Sequence, residues 1–406
     1  MALLVVMLSF AIVAFFIWDK WSDSESQATP DPLDQEYEHA KQEFIRVYGR
    51  QPNEMDVISW LAEKSLKADK LEKAVQYFAR IPTSTPNYGR LARYQQGAAL
   101  LRLNRAAEAE KNLREFIDLE KTETQVSQAH LIDAIQRLRY LLEVQLRFEE
   151  RKELIADMVR AGHGDSHDVM FFCFPSLLRW NGPNAIAKLE QFHRNDPQNL
   201  KLRIALGRYR TGQGRLEEAE TILQKCHQEK PENLFATAAL LALYREQGEW
   251  DKIAREVAKL PEAAENDPWL LLQMRGHSHN RQGDFRKAVK CFQLALKGDP
   301  ASAASSLGLG RAYAGLKQTE KQKRALTKAD VLARIQNRLG WGQNDPDDVK
   351  PFMEIAELCE QIELFEQGYL IARLAHRFSP ENEEVTSLMN RLKSRLPNES
   401  AKGGNS

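Results

Sequence analysis

The hydrophobic and polar positions of this chain follow one sentence written more than once. The stretch QGDFRKAVKCFQLALKGDP (282–300) has the pattern of an amphipathic helix behind a Gly turn and ahead of a Pro stop. QGRLEEAETILQKCHQEKP (213–231) repeats that pattern 69 residues earlier, two units of about 34. With Gly207 set at position 8 of a unit, units begin near residues 55, 90, 132, 166, 200, 234, 269, 303 and 349. Position 8 is then small at Ala62, Gly97, Cys173, Gly207, Gly276, Gly310 and Ala356. Position 20 is small at Ala74, Ala109, Ala185, Ala219, Ala288 and Gly368, and position 32 is proline at Pro86, Pro197, Pro231, Pro300 and Pro380.

These columns predict a pair of antiparallel helices per unit. Small residues at 8 and 20 let the two axes approach closely where they cross. Bulky residues at 17 and 24, such as Leu216 with Leu223 and Phe285 with Phe292, fill the space beside the crossing. Gly or Asn near 15 (Asn104, Gly214, Gly248, Gly283) permits the tight turn, and proline at 32 ends the second helix. A lone hairpin cannot bury its apolar stripe, whereas stacked hairpins can. The units at 132, 234 and 303 depart where it matters, with Arg139 and Leu241 at position 8 and Arg151, Ile253 and Gln322 at position 20. They predict wider crossings or a shifted register. Extra residues in TQVSQAHL lengthen the first helix of the unit at 132, and a helix runs on to Leu339 before a loop at Gly340-Trp341-Gly342.

The pattern closely resembles the tetratricopeptide repeat (TPR) family. The stretches ALGRYRTGQGRLEEAETILQKCHQEKP and RGHSHNRQGDFRKAVKCFQLALKGDP carry the resemblance. It implies an all-α solenoid over 55–382, a right-handed superhelix of about nine hairpins, with a concave groove that binds peptides or other proteins. Carried over by position, the groove residues are Lys201, Arg208, Arg245, His277, Arg281 and Arg311, a row of cations suited to an acidic partner. The Lys/Asn clamp that some members close on a C-terminal carboxylate is missing, because Ile204, Ala205 and Arg208 hold the matching places. Trp341 is a candidate loop contact.

The ends of the chain are of a different character. Residues 1–21 read as an uncleaved transmembrane anchor, with Leu4, Phe10, Phe15 and Phe16 in the apolar stretch and Trp18 and Trp21 at the interface. The competing reading is a cleaved signal peptide, with Ser26-Gln27-Ala28 as its one candidate site. A tether spans 22–33, a leading helix lies within 34–54, a capping helix covers 383–397, and 398–406 is a polar tail. The expected localisation is therefore a single-pass membrane protein, or an exported one after cleavage. The anchor-plus-repeats layout also looks like bacterial membrane assembly factors that regulate envelope lipid synthesis, although those end in a cysteine metal module absent here.

Chemistry adds little to this picture. Lys plus Arg equals Asp plus Glu at 57 each, so no global basic field exists to hold nucleic acid. Cys173, Cys226, Cys291 and Cys359 lie too far apart for a zinc knuckle or a redox pair and read as small buried hydrophobes. His163 and His167 have metal-ligand spacing, but Gly162 and Gly164 argue for a loop, and no third ligand is evident. No HExxH, GxSxG or Walker pattern occurs, and no cofactor is implied. The expectation is a membrane-tethered scaffold for protein partners without catalysis. Its rivals are an exported peptide-binding protein and a hydrolase with an unrecognised site.

Overall fold

The computed structural model describes residues 32–86, 88–121, 128–177, 183–339 and 348–397. Among the described residues there are twenty helices and no strand. A leading helix α1 (Pro32–Tyr48) precedes the pair α2 (Glu54–Lys67) and α3 (Leu71–Ala79). Then come α4 (Gly89–Arg102) with α5 (Ala106–Lys121), and α6 (Gln128–Val144) with α7 (Phe148–Ala161). The next pairs are α8 (Ser166–Cys173) with α9 (Pro183–Asn195), and α10 (Leu200–Gly212) with α11 (Leu216–Glu229). They continue with α12 (Leu234–Gln247) and α13 (Trp250–Lys259), then α14 (Trp269–Gln282) and α15 (Phe285–Gly298). The series closes with α16 (Ala303–Gly315) and α17 (Thr319–Leu339), α18 (Lys350–Gln361) and α19 (Phe365–Phe378), and the single helix α20 (Glu383–Lys393).

Local chemistry explains these boundaries. Asn53, Asp165, Asn199, Asn233, Ser302 and Asn382 each cap the helix that follows by accepting a backbone N–H with the side chain. Between the two helices of a pair, position 15 is left-handed in eight units, at Asp69, Asn104, Leu146, Gly214, Gly248, Gly283, Lys317 and Glu363. The last carbonyls of the first helix are met there from both sides of the turn. The Lys317 N–H donates to Ala314 O and the Gln318 N–H to Tyr313 O. Only three of the eight residues are glycine, so the hydrogen-bonded turn imposes this conformation whatever stands at the position.

The crossings are as tight as the small-residue columns require. A Cβ on Gly207 would meet Leu223 Cγ at 2.5 Å, one on Gly276 would meet the Phe292 ring at 2.7 Å, and one on Gly310 would meet Leu326 at 2.7 Å. Position 8 therefore receives the bulky residue of position 24. At position 20, Ala74, Ala109, Ala219 and Ala288 are wholly buried, while Ala185 is half-buried.

The degenerate unit of α6 and α7 solves the same crossing with charge. Arg139, at position 8, donates to Asp168 at 2.6 Å and to Asp165 at 3.0 Å. Arg151, at position 20, is fully buried, pairs with Glu143 at 3.2 Å and lies 3.8 Å over the Phe171 ring. Burial lowers the Arg151 guanidinium to about 10. α8 stops at Cys173, ahead of Pro175.

The chain divides into two compact units. They are Met1–Leu103 with Asp118–Glu123, and Asn104–Ile117 with Thr124–Ser406. The first has a core around Val57, Ile58, Ala62, Tyr77 and Phe78. In the second, one cluster runs from α10 to α14 around Leu223, Leu241 and Met274. Another joins Ile155, Val159 and Phe171–Phe174 to Val331, Ile335, Ile355, Ile371 and Leu392, residues more than 150 positions further along. The segment 148–177 thus packs on the last repeats as well as on its neighbours. Gln336 donates to Leu177 O at 3.3 Å, Arg377 to Gly164 O at 2.6 Å, and Arg373 to Val159 O.

The membrane localisation expected from the sequence is corrected. No helix among the described residues is long and apolar enough to cross a membrane. The longest, α17 at 21 residues, carries Glu320, Lys321, Lys323, Arg324, Lys328, Asp330, Arg334 and Arg338, which no bilayer core would accept. Leu4, Phe10, Phe15, Phe16, Trp18 and Trp21 lie outside the described residues, as does Trp341.

Candidate functional site

In the second unit, the start of α7 lies against helices that follow it by 60 to 150 residues. The Trp269 N–H at the head of α14 donates to Glu149 Oε1 at 2.9 Å, and Lys152 Nζ donates to Gly298 O at 2.6 Å. Arg208 Nη1 donates to Leu146 O at 2.5 Å, with its guanidinium 5.3 Å over the Phe148 ring. These contacts leave a cavity of about 250 Å³ with Phe148, Phe235, Trp269 and Leu270 on its apolar wall, the cations Arg147, Lys201 and Arg208, and the carboxylates Glu149 and Glu150. Phe235, 46% exposed, stands at its mouth although it is a large apolar residue.

The residues expected to line a binding face divide between this cavity and the helices beyond. Arg208 is half-buried, and desolvation pushes its guanidinium down. Lys201 keeps its side chain 54% exposed and reaches Glu110 at 3.5 Å. Arg245 is held by its neighbour Glu246 at 2.6 Å, and Arg281 lies 4.5 Å over the Trp250 ring. His277 packs its ring on Phe292, centroids 5.1 Å apart. Burial, then the charges of Arg245 and Arg311, lowers the imidazole to about 4. His277 is therefore neutral at pH 7 and supplies no positive charge. Arg311 is exposed.

Sequence reasoning missed the residues contributed by α7 and the turn before it. Burial pushes the Glu149 carboxyl up to about 7, against the Trp269 N–H and the Arg208 charge, which hold it down only in part. Arg147 pairs with Glu110 at 2.5 Å and with Glu150 at 2.5 Å. Burial pushes Glu110 up, but the Arg147 bonds and the charges of Arg147, Lys201 and Arg114 outweigh it and hold the carboxyl near 2. The one available signal was the failure of this unit to obey the repeat, with arginines in both of its small columns.

Two other chemistries find no support. Asp165, His167 and Asp168 place ligand atoms within 4.8 Å of one another, but the Arg139 guanidinium bonds both carboxylates and fills the role of the cation. His163 sits outside that cluster in the loop after α7. All four cysteines are free and buried, and burial pushes each thiol up, so none is poised as a thiolate.

Consecutive helix pairs with small-residue crossings define a helical-repeat protein. Residues 274–330, from α14 into α17, match the tetratricopeptide repeat family model, and the match supports that family for these repeats. Superkiller protein 3 of Schizosaccharomyces pombe is 24% identical over 203 residues, 45% of this chain; the chain covers 14% of that relative's length. The P58(IPK) TPR domain is 15% identical, with 87% of this chain and 100% of that one covered at a TM-score of 0.30. The APC/C hetero-tetramer Cut9-Hcn1 contains a chain 12% identical to this one. It covers 89% of this chain and 94% of its own length, at a TM-score of 0.28.

Proposed function

We propose that the chain is a protein-interaction scaffold of the tetratricopeptide-repeat kind, without catalysis of its own, that holds a peptide at the slot between α7, α10, α12 and α14. The observation that carries this reading is Phe235, left exposed beside Trp269 and Leu270 on a cavity where Lys201 and Arg208 stand as cations besides Arg147, which is already paired with Glu110 and Glu150. Such a surface suits a peptide that inserts an apolar side chain and offers a carboxylate next to it. Arg311, exposed on α16, would extend the cationic track for a longer acidic partner.

The test is affinity capture with the full chain and with two variants, Phe235→Asp plus Lys201→Glu, and Arg311→Glu. The changed side chains are exposed, so helical circular dichroism should stay as in the parent. Loss of the captured partners with the first variant, and weaker capture at raised salt with the second, are the expected results. Capture undiminished by the first variant would discard the slot.

A further inference from the structure

A second cavity, of about 160 Å³, shares Phe148, Arg208, Trp269 and Leu270 with the first and adds Pro175 to the apolar lining and Gln273 and Asp299 to the polar one. Its charged groups are unusual. Asp299 is 4% exposed, and its carboxylate accepts the Ala301 N–H at 3.2 Å and the Ser176 hydroxyl, yet it makes no ion pair among the described residues. Lys152 and Lys328 bear on it from further off, and the Lys152 ammonium is already given to Gly298 O. Arg208, on the same cavity, donates to a backbone carbonyl, feels the Glu149 charge from further off, and likewise has no ion pair among the described residues. Desolvation pushes the Asp299 carboxyl up and the Arg208 guanidinium down, as expected of charges taken from water without close partners.

A buried carboxylate and a half-buried guanidinium thus line one cavity, and no ion pair joins them. A buried charge is tolerated when something pairs with it. A simple anion at Arg208 would be repelled by Asp299, and a simple cation at Asp299 would be repelled by Arg208. A molecule carrying both signs answers both. We propose that this cavity binds a small amino-carboxylate zwitterion with an apolar body, its carboxylate on Arg208, its ammonium on Asp299 and its carbon skeleton against Phe148, Pro175 and Trp269. The size agrees, since an apolar cavity of about 150 Å³ holds a guest as large as benzene. The ligand would touch the turn after α8 through Ser176 and the repeats of α14–α16 through Gln273 and Asp299, so it would fasten one to the other. The two cavities share Arg208, Phe148 and Trp269, so the peptide reading is tested separately at Phe235 and Lys201, which line only the first.

The experiment is isothermal titration of the full chain with leucine, phenylalanine and 6-aminohexanoate, each beside its N-acetyl and carboxamide derivatives. Saturable binding of at least one free zwitterion is expected, weakened about tenfold or more by blocking either end. Asp299→Asn and Arg208→Gln should each weaken it comparably, and the best ligand should raise the melting temperature of the parent chain. The absence of saturable heat from all three zwitterions would overturn the proposal, as would blocked forms that bind as well as free ones. Both of those readings use the unmodified chain and hold even if a variant fails to fold.

Discussion

Lys317 holds a φ of 58° in the turn between α16 and α17, a conformation that costs an ordinary residue about 1–2 kcal/mol. Its side chain is exposed, so Lys317→Gly should stabilise the chain by about 1 kcal/mol, less glycine's extra entropy in the unfolded state, read as a rise in the urea midpoint. The reverse case is Gly276. A methyl there would meet the wholly buried Phe292 ring at 2.7 Å, and that ring is held from the other side by Gly308. Gly276→Ala should cost about 1–3 kcal/mol in the same measurement. These two positions also show what could be read in advance. The small columns were legible because their rule is steric and leaves only Gly, Ala or Cys. The left-handed turn was legible only where glycine or Asn104 filled it. Asp69, Leu146, Lys317 and Glu363 adopt the same φ because the surrounding hydrogen bonds demand it, and no residue type announces that.

The element least like its siblings is the pair α6 and α7. Its sequence showed that the crossing had to differ, but not how, since Arg139 and Arg151 find their partners in Asp165, Asp168 and Glu143 only once the chain has folded. Glu143, itself partly exposed, is the carboxylate that answers the wholly buried Arg151 guanidinium, which also contacts His167 Nδ1 at 3.2 Å. Glu143→Ala should therefore lower stability by about 3 kcal/mol in chemical denaturation, more than an exposed glutamate would on losing its ion pair. Exposing Arg151 to a matched apolar change, Arg151→Met together with Glu143→Leu, should recover most of that loss. Recovery would show that the arginine is a packing solution. The candidate binding residues were legible to the same partial degree. Arg208 and Lys201 fall on one cavity, whereas Glu149, Phe235 and Trp269 complete it through contacts between parts of the chain that periodicity treats as separate.

At the scale of the whole molecule, acidity becomes the readout. Glu149 in the folded chain has its carboxyl near 7 against an ordinary 4.5, so the folded state keeps a proton that the unfolded state has lost. Stability contributed by this group is greatest below pH 4.5 and is lost as pH rises through 7, by at most about 3 kcal/mol. Glu149→Gln should flatten the dependence of the urea midpoint between pH 5 and 8, while leaving the acid limb in place. An unchanged slope would place the carboxylate in contact with water at the mouth of the cavity.

The long reach of the α8 cluster has a temporal consequence. Cys173 meets Gln367 O across 194 residues, and the phenylalanines beside it share that cover. During translation at about 5–20 residues per second, those rings would wait roughly 10–40 s on the ribosome before their final neighbours emerge. A nascent chain of this kind offers a sticky phenylalanine-rich patch to any holdase that samples it, and codons that slow elongation after residue 177 would widen that window.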